Sequence, residues 1–83
     1  MSVSLYVSNL PYEVEAAELE SLFGGFGDVR KVTIPTDRET GRPHGIAFIE
    51  MADDVGARAA IEAVNQTRVG SRVVRVSRAR SQR

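Results

Sequence analysis

Hydrophobic periodicity divides the 83 residues into six successive segments, and this succession limits the fold more than any other feature of the chain. Residues 3 to 8, VSLYVS, alternate Val3, Leu5 and Val7 with Ser4, Tyr6 and Ser8, the period of a half-buried strand, and Asn9 and Pro11 stop it. From about Glu15 to Gly24 the period becomes helical, with Leu19, Leu22 and Phe23 recurring between Val14 and Phe26 and Glu15, Glu18 and Glu20 in the early turns. GGFG at 24 to 27 is the stop signal of that helix. VRKVTI at 29 to 34 is a second strand running into PTDRETGRP, a turn-forming loop with Pro35, Asp37, Gly41 and Pro43.

RPHGIAFIEM at 42 to 51 is the third strand, apolar on both sides after Gly45. A second helix starts at Asp53 or Asp54 as cap and carries Ala57, Ala60, Ile61 and Val64, with Gly56 weakening its first turn by up to about 1 kcal/mol. NQTRVGS at 65 to 71 is expected as a loop, RVVRVS at 72 to 77 as the fourth strand, and residues 78 to 83 as a basic tail. Strand, helix, strand, strand, helix, strand is the α+β ferredoxin-like βαββαβ plan, a four-stranded antiparallel sheet with both helices on one face. The expected domain is therefore residues 1 to 77, and the other face of the sheet is open. Gly45, Ala47, Ile49 and Met51 then meet the helices, while Ile46, Phe48 and Glu50 point outward. Leu5 and Val7 go in and Tyr6 comes out, which brings Tyr6 and Phe48 near each other if the first and third strands are central. Lys31 and Arg75 face the open side because Val32, Ile34, Val74 and Val76 are needed inside.

Composition narrows the class. With 42% hydrophobic and 27% charged residues the chain has the balance of a globular domain and not of a disordered segment. Its length allows one thin core. Cysteine is absent, which removes disulfides, thiolate metal sites and thiol nucleophiles. Neither a signal peptide nor a run of 18 apolar residues is present, so no membrane role and a cytoplasmic location are expected. The zero net charge is a sum of two blocks: residues 1 to 67 hold all eleven acids and five bases, and residues 68 to 83 hold six arginines and no acid. Two readings fit this polarity. The arginines form an arm for an anionic partner, or they solvate a terminal strand and pair with the acidic helix face.

Two segments resemble the paired signatures of the RNA-recognition motif family. LYVSNL at 5 to 10 fits the shorter ribonucleoprotein motif at every position. HGIAFIEM at 44 to 51 is similar to the longer one, with Gly45, Ala47 and Phe48 matching, Ile49 a conservative match, and His44, Ile46 and Met51 departing from it. LFGGFGDV, TDRETGRP and VGSRVVRVS fall where the family has its first helix end, its long loop and its last strand, and the short chain is similar to stand-alone bacterial or organellar members. The resemblance implies single-stranded RNA binding on the open sheet. The same chemistry follows from the residues, because exposed rings on a rigid sheet stack unpaired bases at roughly 1 to 3 kcal/mol each. Tyr6 and Phe48 are the expected platforms. They could also simply cover the sheet. Ile46 stands where the family usually has a third ring, so its apolar contact is expected to be weaker by about 1 to 2 kcal/mol.

His44 replaces a basic residue that commonly meets phosphate, and as a partly charged imidazole it is a weak contact whose role Arg42 takes over. Lys31 and Arg75 are expected to meet phosphates. Ser77, Arg78 and Arg80, just past the last strand, resemble the segment that closes over bound RNA in this family. No catalytic constellation and no metal or cofactor site is legible: there is one histidine, no carboxylate cluster of metal spacing and no phosphate-cradling loop between strand and helix. The expected partner is thus single-stranded RNA, with single-stranded DNA as an acceptable substitute, for a monomeric domain. The alternative is a protein-interaction module of the same fold.

Overall fold

The computed structural model describes residues 2–41 and 45–79. Its elements are β1 (Val3–Ser8), α1 (Ala16–Gly24), β2 (Val29–Thr33), β3 (Ala47–Met51), α2 (Asp54–Val64), β4 (Arg68–Val69), β5 (Arg72–Val73) and β6 (Arg75–Arg78). Four of the strands form one antiparallel sheet in the order β2-β3-β1-β6, and β4 and β5 form a separate ribbon. β1 and β3 are the central pair, as the element order predicts.

The alternation in the strands becomes an inside and an outside. Leu5 and Val7 of β1, Ala47, Ile49 and Met51 of β3, and Val74 and Val76 beside and within β6 are all buried. Against them lie Leu19 and Phe23 of α1 and Ala57, Ala60 and Val64 of α2. Leu22 departs from the expected apolar face of α1, being 36% exposed while Phe23 is fully buried. In β2 a register shift between Val29 and Lys31 inserts an extra residue, so that Val29 opposite Met51 and Val32 opposite Ile49 both turn toward the core. Lys31 and Thr33 then face outward.

Helix ends follow local chemistry. The Glu15 N–H donates to the Glu18 side chain at 3.0 Å at the start of α1, and Asp53 accepts from the Gly56 N–H at 2.9 Å at the start of α2. α1 ends at Gly24, within the GGFG stop signal, with Gly25 as its C-cap. Gly25 has an ordinary right-handed φ of −70°, and the conformation-limiting feature is a close crossing of Gly27 with Gly56. A Cβ on Gly56 would lie 3.0 Å from the Phe26 carbonyl oxygen and 3.2 Å from Gly27 Cα. Gly56, which costs the helix in propensity, is therefore what lets α2 approach the turn after α1. Gly56→Ala is expected to destabilise the domain by about 1 to 2 kcal/mol, because the backbone clash outweighs the roughly 1 kcal/mol helical gain. Urea unfolding of the variant checks this; a stabilised variant would show that the crossing yields.

The segment expected as one strand over 72 to 77 is in fact broken at Val74. The Val74 N–H donates to the Thr67 carbonyl at 2.9 Å and its carbonyl accepts from the Gln66 N–H at 2.8 Å, so this residue belongs to neither strand. Arg72 and Val73 pair back on Val69 and Arg68 as a hairpin turning at Gly70 and Ser71, and only Arg75 onward joins β1. Alternation marks a residue as extended without naming its partner, which is why 65 to 71 read as loop. β6 also runs one residue further than expected, through Arg78, and the Ala79 N–H still reaches the Ser4 carbonyl at 2.9 Å.

Candidate nucleic-acid interface

The sheet face opposite the helices is organised in rows across the strands. The middle row is Thr33, Phe48, Tyr6 and Ser77, fixed by the pairings Thr33 with Phe48, Phe48 with Tyr6 and Tyr6 with Ser77. One row toward the start of β1 lie Lys31, Glu50 and Ser4, and at the other end Ser8 stands opposite Arg75. Ile46, two residues before Phe48, is half-buried on the same face beside that last row. The rings of Tyr6 and Phe48 have centroids 5.6 Å apart and planes inclined at 50°. Direct cross-strand neighbours on one face are about 5 Å apart at Cβ, so the strand register alone brings these rings together.

Phe48 is 37% exposed, unusual for a phenylalanine in the middle of a sheet. Its neighbours in the chain, Ala47 and Ile49, are fully buried, so the exposure follows from the period of the strand and not from a loose end. Gly45 sets the entry of β3. Its φ of 83° lies in the left-handed region, and its carbonyl accepts from the Leu10 N–H at 2.9 Å, tying the chain before β3 to the end of β1.

Of the expected phosphate contacts, Lys31 and Arg75 are exposed on the open face, at opposite edges and opposite ends of the sheet. Ser77 is exposed on the same face beside Tyr6, within β6 and not past it. Arg78 departs from the expected arrangement. It lies opposite Leu5, an inward residue, and its Nη2 is 2.7 Å from Oδ1 of Asp54 at the start of α2. Arg58 binds the other oxygen of that carboxylate, Oδ2, through Nε at 2.9 Å. The hydrogen bond from Arg78, with the charge of Arg58 beside it, holds the Asp54 carboxyl below the ordinary aspartate range. In the free chain this arginine thus pairs with the acidic helix side. Arg42, His44 and Arg80 lie outside the described residues.

A further group of side chains stands at the end of the sheet. Asn9, at a left-handed φ of 63°, donates through Nδ2 to the Val73 carbonyl at 2.7 Å and accepts at Oδ1 from Arg72 Nη1 at 2.9 Å. The Arg72 guanidinium carbon sits 6.0 Å from the centroid of the Tyr12 ring, and Tyr12 is 58% exposed. Sequence reading treats Asn9 as a strand stop and Arg72 as one of six arginines; it does not single out Tyr12. An aromatic residue directly after the strand-ending Pro11 is the available signal.

Among the described residues no group of three or more potential metal ligands occurs, and no helix is long and apolar enough to cross a membrane. The chain is similar over 94% of its length to RbpF of Nostoc sp. (strain PCC 7120 / SAG 25.82 / UTEX 2576), whose name is a provisional assignment to RNA binding. The two are 42% identical over 78 residues, which cover 74% of RbpF. A crystal structure of RNA binding protein PG1 superposes with a TM-score of 0.92 at 37% identity, covering 98% of both chains. A Sxl-lethal protein/RNA complex superposes with a TM-score of 0.86 at 35% identity, covering 93% of this chain and 47% of that one. The model of the RNA recognition motif matches residues 5–75, from the first core residue of β1 to the first residue of β6, and the chain belongs to that family.

Proposed function

We propose that the chain binds single-stranded RNA on the open face of its sheet, with two bases stacked on Tyr6 and Phe48. The observation that carries this reading is the pair of rings set opposite each other on the central strands, 5.6 Å apart, with Phe48 exposed although its strand neighbours are buried. Family membership makes the chain a binding domain and not an enzyme. The names of its relatives support RNA as the ligand: one solved neighbour is called an RNA binding protein, and another is a protein/RNA complex.

The mechanism is recognition without covalent chemistry. An unstacked base gains about 1 to 3 kcal/mol by lying on an aromatic ring, whatever its identity. Ile46 extends the apolar surface by contact with a sugar or base edge but offers no π face. Lys31 and Arg75 at the two edges, and Arg42, His44 and Arg80 beyond the described residues, meet phosphates; Ser77 offers a hydroxyl beside the Tyr6 platform. Arg78 is committed to Asp54 and contributes to the RNA surface only by leaving that partner.

Titration with a short single-stranded RNA at low salt, followed through backbone amide shifts, tests the reading. Shifts are expected on residues 5 to 8, 45 to 50 and 75 to 79, with Tyr6 and Phe48 moving most. A parallel titration with the DNA strand reports the preference for ribose. Shifts confined to the helices, or none with either strand, would reject the reading in favour of a protein-interaction module.

A further inference from the structure

The turn after β1 and the β4–β5 ribbon meet beside the end of the sheet where Ser8 leaves and Ile46 enters. Their joint is closed by several contacts that do not involve the Tyr12 ring. Asn9 bonds the Val73 carbonyl at 2.7 Å, the Gln66 and Val74 N–H groups bond across the base of the ribbon at 2.8 and 2.9 Å, and Gly70 packs against Pro11, where an added Cβ would be 3.2 Å from Cγ. Tyr12 as a residue is left 58% exposed, more than Phe48 at 37%, with a guanidinium over its ring. Its Cε1 edge lies near Gly45, 3.9 Å from where an added Cβ would stand, and this edge contact together with Arg72 still leaves more than half of the residue open to solvent.

Arg72 is likewise held ready without being neutralised. Asn9 Oδ1 orients its guanidinium at 2.9 Å, and among the described residues no carboxylate forms an ion pair with it, the ion pairs there being those of Asp54 with Arg58 and Arg78. A flat ring, a flat guanidinium and an uncompensated positive charge are the complement of one nucleotide: both planes stack bases, and the charge meets a phosphate. We propose that Tyr12 and Arg72 form a second nucleotide site, which takes the nucleotide that leaves the sheet past Ile46 and so lengthens the bound strand beyond the two bases on Tyr6 and Phe48. Asn9 is the positioning residue of this site. The proposal rests on the sheet reading, since the strand must already lie across Tyr6 and Phe48 to reach it.

Oligouridylates of two and six nucleotides separate the two sites, with binding measured by amide shifts and folding by thermal melting. The parent protein is expected to bind the hexanucleotide more tightly than the dinucleotide. Tyr12→Leu, which keeps an apolar side chain and removes the π face, and Arg72→Gln, which keeps a donor for Asn9 and removes the charge, should each weaken the hexanucleotide about five- to tenfold and leave the dinucleotide unchanged. Phe48→Ala should weaken both. Should Tyr12→Leu fail to fold, Arg72→Gln carries the same comparison. Hexanucleotide affinity unchanged in a folded variant, or equal affinity of the parent for both lengths, overturns the second site and leaves the sheet reading standing. Absence of binding at either length overturns both.

Discussion

Phe48→Ala is expected to bind a short single-stranded RNA about five- to a hundredfold more weakly than the parent and to melt within a few degrees of it. The loss follows from removing one stacking platform, worth about 1 to 3 kcal/mol, where 1.4 kcal/mol is a factor of ten. Stability is spared because the ring lies on the face away from the core: Ala47 and Ile49 on either side of it are the buried residues. What folding loses is the cross-strand contact with Tyr6, about 0.2 to 1 kcal/mol. Tyr6→Ala should behave alike. If the two rings hold successive bases of one strand, the double variant loses less than the sum, since a base released from one platform loosens its neighbour. Fluorescence anisotropy against a labelled oligonucleotide, with melting curves on the same samples, measures both quantities. Equal affinity of all three variants and the parent would remove the sheet from the binding surface.

Phe23→Ala has the opposite signature. Truncating this fully buried ring should cost about 3 to 5 kcal/mol, a large share of the roughly 4 to 12 kcal/mol available to a domain of this length. The adjacent Leu22→Ala should cost less than about 1 kcal/mol, because Leu22 is already 36% exposed. Urea unfolding of the two variants separates them by midpoint. Similar midpoints would mean that α1 can rotate about its axis to share burial between the two residues. The contrast matters for function because α1 packs against the inner face of the sheet, on the side away from Tyr6 and Phe48. A helix that rolled would disturb the strand register that pairs the rings.

Those two neighbours also mark how far the one-dimensional pattern reaches. Leu22 and Phe23 are equally apolar and both fall on the helical period, so periodicity places a helix there and leaves its rotation to packing. In the strands periodicity does more. A period of two leaves only two choices of face, and the small or aliphatic Ala47, Ile49 and Met51 settle which side is inside, so the exposure of Phe48 could be read directly. Its partner could be read too, because the element order makes the first and third strands central and a ring at Tyr6 is the aromatic of the opposite strand. The extra residue in β2 was hidden in VRKVTI, where Val29, Val32 and Ile34 all turn inward across an irregular register. Gly56 read as a weak point of a helix became a requirement once Gly27 was found against it.

The arginines of the last segment show the limit most clearly. Composition marks residues 68 to 83 as basic, and charge has no direction in sequence. In the folded chain Arg72 sits over Tyr12, Arg75 lies on the open face, and Arg78 turns to Asp54 on the helix side, three destinations within seven residues. Alternation separates Arg75 from Arg78, but the break at Val74 is what places Arg72 on a ribbon beside the sheet. That break is held by hydrogen bonds to Gln66 and Thr67, residues that read only as loop. The sequence by itself determined the order of elements, the buried face of each strand and the two rings of the open face, because these follow from the local period and residue size. Tertiary structure alone decided the rotation of α1, the glycine crossing, the ribbon and the company each arginine keeps, since each depends on which distant backbone or side chain arrives at the same place.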